Sequence, residues 1–496
     1  MATPLNLLFI IADQFRADSL GAVGHPVVRT PNLDRLASEG TLFTHCFNQT
    51  APCGPSRMCI YTGRYLCSTR AVDNMTPLRD AEENYGHWLR RAGYAPGLVG
   101  YNDYAVDPAI LPADDPRRSS LSYDNVLPGF ERVYYHEYDS QDYFDYLRRR
   151  GYPEGLLSHQ AVHAPEVPPE GPGPNLPQHY PAAYRREDSE CHYVTDRAIE
   201  YLKNRPDNQG WALSLNYIKP HPPNICCAPY HDMYAPEDVP PPVRRPEETE
   251  PSHPYLRLMA PGSLEDERHL RQYRACYYGM ISEVDDNIGR VFEFLRASGQ
   301  WDNTLIVFTS DHGEYLGDHY MVGKGHFHDP SLRIPCIIRD PRPQSDAMRG
   351  RQSDALVESI DLVPTVLEAL GCPVPPLVQG SSLLPLLEGR EATGKDAVFH
   401  EFDYRTHALR SAPGSDPDDH LLWVVRDRDF KYVHFADEGI EPLLFDLRQD
   451  PGEMENLAAK PEFAGKALHY CQRLLRWRMR HEDQRMERWA LPYRGL

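Results

Sequence analysis

The chain has 496 residues, 41% hydrophobic and 25% charged, which suits one large α/β domain with additions, or two to four compact units, and excludes a wholly disordered chain. Acidic residues outnumber basic ones by 72 to 52, the reverse of a duplex nucleic-acid binder, so no nucleic-acid partner is expected. No segment approaches the ~20 apolar residues of a membrane span, none resembles an export signal, and an odd set of 11 cysteines gives no disulfide framework, so a cytoplasmic location without membrane contact is expected.

Leu5–Ala12 is an apolar run ending at Asp13, as a strand buried on both faces reads. Asn32–Glu39 fits a helix between Pro31 and Gly40, and Thr41–Phe47 a strand. Glu82–Ala92 reads as an amphipathic helix, Ala95–Gly100 as a strand, Ser189–Lys203 as a helix and Trp211–Tyr217 as a strand. Leu264–Ser298 carries the longest helical pattern and is expected to form two helices. Thr304–Ser310 is a strong strand running into Asp311-His312; Ile334–Arg339 and the helix Ile360–Leu370 follow. This alternation predicts a doubly wound, mostly parallel sheet flanked by helices.

From about Ala397 the pattern changes to short strands, Val398–Glu401, Leu422–Arg426, Phe430–Phe435 and Leu443–Leu447, then a helix over Pro461–His481. Two units are expected: a catalytic α/β domain over 1–395 and a small antiparallel sheet with helix and tail over 396–496. The 47 prolines concentrate in Pro165–Pro181 and Pro220–Pro254, inside loop insertions placed at about 104–188 and 219–263.

In open α/β sheets ligands bind beyond the carboxyl ends of the strands. Two strong strands end in metal-ligand residue types, Asp13-Gln14 and Asp311-His312. Each pair alone also suits a cap or a turn. Between them lies Cys53-Gly54-Pro55-Ser56-Arg57, where Cys53 opens a helix. A helix N-terminus lowers a thiol pKa and holds anions, and Arg57 one turn later shares that face. The pattern makes Cys53 a nucleophile candidate; a buried, inert cysteine reads the same way.

C-x-P-S-R followed by Thr62-Gly63-Arg64 resembles the sulfatase signature of the alkaline-phosphatase superfamily. The resemblance extends through Asp13-Gln14, Thr30–Leu36 and Phe308–Glu314. The runs Arg70–Asn74, Lys219–Pro223 and Lys431–Phe435 are most similar to the branch of phosphonate monoester hydrolases and related arylsulfatases. In that family the cysteine is oxidised to formylglycine by a maturation system. The resemblance implies that Asp13, Gln14, Asp311, His312 and modified Cys53 surround one divalent metal. It places Arg57, Asn74, Tyr101, His221 and Lys324 against the transferred group, with His221 protonating the leaving oxygen.

Many sulfatases carry Asp where Gln14 stands and Asn where His312 stands. Fewer carboxylates and an imidazole favour Mn²⁺, leaving Zn²⁺ and Ca²⁺ open. Asp103 stands where a neutral threonine is expected in that branch; facing the site, it would repel dianions more than monoanions. The implied chemistry is attack by one hydroxyl of the hydrated aldehyde, departure of the alcohol, and collapse of the second hydroxyl to expel the acid. The activity expected is hydrolysis of sulfate monoesters, with phosphonate monoesters and phosphate diesters as further small-molecule substrates. A dedicated phosphonate monoester hydrolase or phosphodiesterase is the alternative. Finally, Leu468, Leu474, Leu475, Trp477, Met479, Met486 and Trp489 give the C-terminal helix and tail an apolar face. It suits either the small sheet or a neighbouring subunit, and a homo-oligomer, dimer or tetramer, is expected.

Overall fold

In the computed structural model the described residues are 4–115, 118, 126–137, 140–166, 180–205, 210–259, 266–390, 394–406, 408 and 414–482. The larger sheet has nine strands: β1 (Asn6–Ala12), β2 (Thr41–Phe47), β3 (Pro96–Gly100), β4 (Glu131–Tyr135), β5 (Ala212–Tyr217), β6 (Thr304–Thr309), β7 (Arg333–Ile334), β8 (Cys336–Arg339) and β9 (Arg351–Glu358). Their order is β4-β3-β5-β1-β6-β8-β2-β7, with β9 also on β2. β1 lies at the centre, parallel to β5 and β6, with Phe9 level with Ser214 on one side and Val307 on the other.

The sheet is parallel except at β7 and β8. The single strand expected over 334–339 is divided at Pro335, which supplies no donor to a ladder. Both pieces run antiparallel to β2, with Cys46 opposite Ile334 and Thr41 opposite Ile338. β4 and β9 escape the hydrophobic pattern because they are polar: Glu131, Arg132, Arg351, Gln352 and Asp354 are exposed.

Alternate residues of β1 enter two separate cores. Leu8, Ile10 and Ala12 join one, while Leu7, Phe9 and Ile11 join the other. This is why the run is apolar without alternation. The first core receives helices α1 (Pro31–Glu39), α4 (Gln141–Arg149), α5 (Glu190–Lys203) and α6 (Glu267–Ala297). The second receives α2 (Cys53–Thr62), α3 (Tyr85–Arg91) and α7 (Leu362–Ala369). α3 starts later than the expected Glu82 because Asn84 accepts the amide N–H of Gly86 at 2.8 Å and of His87 at 3.3 Å.

α6 is one helix of 31 residues, not two. Its interior glycines mark close packing, not a break: a Cβ on Gly279 would lie 2.3 Å from the Tyr230 carbonyl oxygen, and one on Gly289 2.5 Å from Asn32. Asp266 caps it through the Arg268 amide at 2.9 Å, whereas Leu264, the expected start, lies outside the described residues.

The second sheet is antiparallel and has four strands in sequence order, β10 (Val398–Asp403), β11 (Leu421–Arg426), β12 (Phe430–Phe435) and β13 (Leu443–Asp446). Helix α8 (Ala464–Arg480) docks on it through Tyr470, Leu474 and Trp477, the Trp477 ring stacking on Phe399 at 4.9 Å. Leu468, Leu475 and Met479 of α8 remain exposed. Met486, Trp489 and the expected tail contact lie outside the described residues, as does most of Pro165–Pro181. The two sheets join through clusters that include Phe47, Phe327 and Phe445, and Cys59, Ile360 and Tyr432. Among the described residues no helix is long and apolar enough to cross a membrane.

Candidate active site

The carboxyl ends of β1, β3, β5 and β6 point toward the N-terminus of α2. Asp13 follows β1, and its amide is fixed to the Tyr217 carbonyl at 3.0 Å. Asp311 and His312 follow β6 after Ser310, whose hydroxyl accepts the Phe15 amide at 2.9 Å and so ties the two strand ends together. Cys53 opens α2. The ligand atoms of Asp13, Cys53, Asp311 and His312 all lie within 4.8 Å of one another, and all four residues are buried.

Around the Cys53 Sγ, the Lys324 Nζ lies at 2.9 Å, the His312 Nε2 at 3.2 Å and the Asp13 Oδ1 at 3.8 Å. Lys324 also donates to the Gln14 Oε1 at 3.2 Å. Gln14 adopts a φ of 62° and donates its side-chain amide to Glu314, which turns Oε1 toward Lys324. The Tyr277 hydroxyl of α6 holds the Gln14 carbonyl at 2.6 Å and accepts the Arg16 amide at 2.9 Å, pinning this turn on both sides.

Arg57 is fully buried one turn into α2. Its Nε donates to Asp311 Oδ2 at 2.7 Å and Nη2 to Asp13 Oδ2 at 3.2 Å. Nη1 reaches the Tyr101 carbonyl and the Asn216 Oδ1, both at 3.2 Å, and the guanidinium lies 4.1 Å from the Tyr101 ring centre. Arg57 thus clamps both carboxylates. Asn74 accepts the Gly54 amide at 2.9 Å, satisfying a donor at the start of α2. Asp103 is buried with a φ of 53°. His221 is half-buried, its Nδ1 2.8 Å from the Pro222 carbonyl oxygen. A carbonyl only accepts, so Nδ1 carries the proton and Nε2 is the free face of the neutral ring.

The charges are strongly coupled. Burial and the neighbouring Asp311 push Asp13 well above the usual carboxylate range. Burial also opposes ionisation of Asp311, but Arg57 and His312 overcome it and hold that carboxyl down. Burial, with Lys324 nearby, lowers His312 to about 3. Burial and Lys324 likewise hold His221 well below its ordinary value, so its ring is neutral at pH 7. The Cys53 thiol moves opposite to the helix-end expectation: burial and Asp13 raise it well above its ordinary value. Desolvation beside a carboxylate outweighs the helix dipole, and the unmodified side chain is a protonated thiol.

Two carboxylates, an imidazole, an amide oxygen and residue 53 are a donor set suited to one divalent cation. A cation would also relieve the repulsion that raises Asp13. Asn216, Glu314, Ser56 and Tyr277 complete the site beyond the residues expected from sequence. Asn216, a polar residue near the end of an apolar strand, accepts from Arg57 and, at 3.0 Å, from the Tyr61 hydroxyl. Ser56 donates to the Asp311 carbonyl at 2.5 Å.

The sulfatase family model matches residues 5–372, and the model described as N-sulphoglucosamine sulphohydrolase, C-terminal, matches residues 317–480. The multifunctional alkaline phosphatase superfamily protein PehA of Trinickia caryophylli is 39% identical, the alignment covering 100% of this chain and 99% of the relative. An arylsulfatase of Clostridium perfringens is 27% identical over 95% of this chain and 93% of its own. The solved phosphonate monoester hydrolase of Agrobacterium radiobacter superposes with a TM-score of 0.88 at 39% identity, covering 97% of this chain and 96% of that one. The corresponding enzyme from Silicibacter pomeroyi gives 0.85 at 36% identity, with the same 97% and 96% coverage. With a family model spanning 5–372 and a relative 39% identical along the full length, the chain belongs to the sulfatase family, hydrolases of the alkaline phosphatase superfamily.

Proposed function

We propose that this chain is a formylglycine- and metal-dependent hydrolase of sulfate monoesters that also accepts phosphonate monoesters and phosphate diesters at the same site. The observation that carries the reading is the convergence of Cys53 with Asp13, Asp311 and His312 within 4.8 Å, capped by Lys324. Asp13, Gln14, Asp311 and His312 would hold the cation, with Mn²⁺ best suited to this mixed oxygen and nitrogen set. When bound, the cation supplies positive charge that lowers the pKa of the attacking hydroxyl and offsets charge developing on the transferred group. Converted to formylglycine and hydrated by one water to the geminal diol, position 53 supplies two hydroxyls, one to attack and one to expel the acid as the aldehyde re-forms.

The side chains around it have separate tasks. Arg57 keeps Asp13 and Asp311 in register and screens their mutual repulsion. Lys324 places its ammonium at the attacking group and can follow the equatorial oxygens as they gain charge. His221, anchored through Nδ1 on Pro222, turns Nε2 to the leaving side. Burial and the Lys324 charge keep this ring neutral; an arriving anionic ester offsets the Lys324 charge, so that Nε2 can take up a proton from solvent and pass it to the departing alcohol. Asn74, Tyr101 and Asp103 line the approach. A maturation system that oxidises Cys53 is the partner this chemistry requires.

A dedicated phosphonate monoester hydrolase is the second reading, favoured by the two phosphonate monoester hydrolases at 39% and 36% identity. A panel of aryl sulfate, phosphonate monoester and phosphodiester, ranked by kcat/KM, decides between them. Cys53→Ser tests the shared mechanism. A serine ester has no second hydroxyl, so the variant is expected to release one alcohol per chain in a burst and then stop. Steady-state turnover near wild type would overturn the formylglycine reading.

A further inference from the structure

A second group of metal-ligand residues lies on other elements. His159 and His163 are one turn apart on the segment His159–Val162 and the residue after it, their ring centres 4.4 Å apart. Glu190 begins α5. A nitrogen of each histidine and an oxygen of Glu190 lie within 4.8 Å of one another. His163 and Glu190 are buried, and His159 is half-buried. His136, just beyond β4, places its Nε2 3.0 Å from Glu190 Oε1, while His163 Nε2 lies 3.0 Å from Oε2.

The proton positions at His163 are informative. Its Nδ1 is 2.8 Å from the His159 carbonyl oxygen, which can only accept, so Nδ1 carries a proton. Its Nε2 faces a carboxylate. A neutral imidazole has a single N–H, already used. The Nε2 lone pair would therefore point at the Glu190 carboxylate unless the ring is an imidazolium or a cation stands between them. His136 has no such conflict, because its Nδ1 can accept from the Tyr134 hydroxyl at 2.9 Å while Nε2 donates to Glu190. An imidazolium would explain the His163–Glu190 contact alone, without using the convergence of the His159 ring on the same point. A metal ion uses all three residues.

We propose that His159, His163 and Glu190 form a second divalent-cation site, of the zinc class, separate from the catalytic centre. Two imidazoles and one carboxylate, with water in the fourth position, are a donor set that zinc takes. The surroundings supply the outer contacts that metal-bound groups need: His163 Nδ1 is fixed on a backbone carbonyl, and His136 orients the second oxygen of Glu190. Tetrahedral ligands ~2.1 Å from zinc lie ~3.4 Å apart. Donor atoms within 4.8 Å of one another therefore need side-chain rotations that close the widest gap by ~1.4 Å at most. The site would tie the 159–163 segment to the edge of the sheet and to α5. Just after that segment, the strand-type pairing among the described residues is the single bridge between Pro165 and Ala182.

The test uses full-length chains loaded with zinc and freed of excess by gel filtration. Asp13→Ala/Asp311→Ala removes the carboxylates of the catalytic centre. This variant is expected to retain about one equivalent of zinc by elemental analysis, and adding His159→Ala is expected to remove it. Absence of zinc from the double variant, or retained zinc insensitive to His159→Ala, overturns the proposal. Should the double variant not fold, His159→Ala in the otherwise unaltered chain is read instead, since a half-buried side chain is lost without opening the core. There a fall of about one equivalent relative to the parent is expected, and unchanged content overturns the proposal. Cobalt substitution adds a readout: tetrahedral visible bands that vanish with His159→Ala are expected, and bands that persist oppose the site.

Discussion

Asp103 shows how a single residue can be both strained and charged against its surroundings. A φ of 53° costs a non-glycine residue of order 1 kcal/mol. Burial, only partly offset by Arg57, raises its carboxyl from 3.8 to about 6. The folded value lies above the unfolded one, so ionising Asp103 opposes folding. That penalty is absent below pH 3.8, grows as pH rises, and is complete above about 6. Asp103→Asn is therefore expected to stabilise the metal-free chain at pH 7 by on the order of 2 kcal/mol, with the gain shrinking toward pH 4; urea melts at the two pH values check this. Asp103→Thr is expected to raise kcat/KM for a dianionic phosphate monoester relative to a monoanionic ester by the equivalent of ~1 kcal/mol. An unchanged ratio would remove Asp103 from the substrate's field. The ligand types at 13, 14, 311 and 312 were legible because each follows an apolar strand. Asn216, Glu314 and Tyr277 were not, since their importance comes from which distant atoms they meet: Tyr277 and Gln14 are 263 positions apart.

At the scale of elements, the close approach of β3 and β5 sets the width of the site. Gly100 ends β3 with a φ of 93°, and a Cβ there would lie 1.8 Å from the Asn216 carbonyl oxygen. The backbone must then separate just where Tyr101 receives Arg57 and Asn216 supports it. Gly100→Ala is expected to lower the melting temperature by several degrees and kcat by more than tenfold, since both a backbone clash and a misplaced clamp result. Full activity with only a lower melting temperature would show that the clamp tolerates the shift. Elements with a continuous apolar run, β1 and β6, could be read from sequence almost to the residue. β4 and β9 could not, because an exposed edge strand is polar and resembles a loop. The length of α6 was hidden for the opposite reason: Gly279 and Gly289 look like breaks until the chains packed on them are seen.

For the molecule as a whole, α8 divides the apolar residues of its sequence between two purposes. Tyr470, Leu474 and Trp477 cover the small sheet, and Leu468, Leu475 and Met479 are 59%, 59% and 63% exposed. Three large side chains at helical spacing on one exposed stripe suit a second copy of the chain. We propose a homo-oligomer built on this stripe. Leu475→Glu is expected to shift sedimentation from oligomer to monomer at micromolar concentration without altering kcat. A wild-type monomer at that concentration would refute it. The sequence displayed this apolar face as one, because both sets share the helical period; only the docked sheet separates them.

Cys53 is 3% exposed, at the floor of a site roofed by Lys324. On the formylglycine reading, this burial fixes the timetable of biogenesis. A modifying enzyme would have to reach residue 53 before it packs, since in the finished protein it lies buried in the first turn of a helix beneath the sheet. Oxidation therefore competes with folding, and the active fraction of any preparation records the outcome of that race. Unmodified protein, once native, is expected to stay inactive on exposure to the maturation system, whereas the same protein presented unfolded is converted. Intact mass after each treatment reads the difference. Slower folding, as at lower growth temperature, should then yield more active enzyme per chain, and catalytic capacity would be set during synthesis and not afterwards.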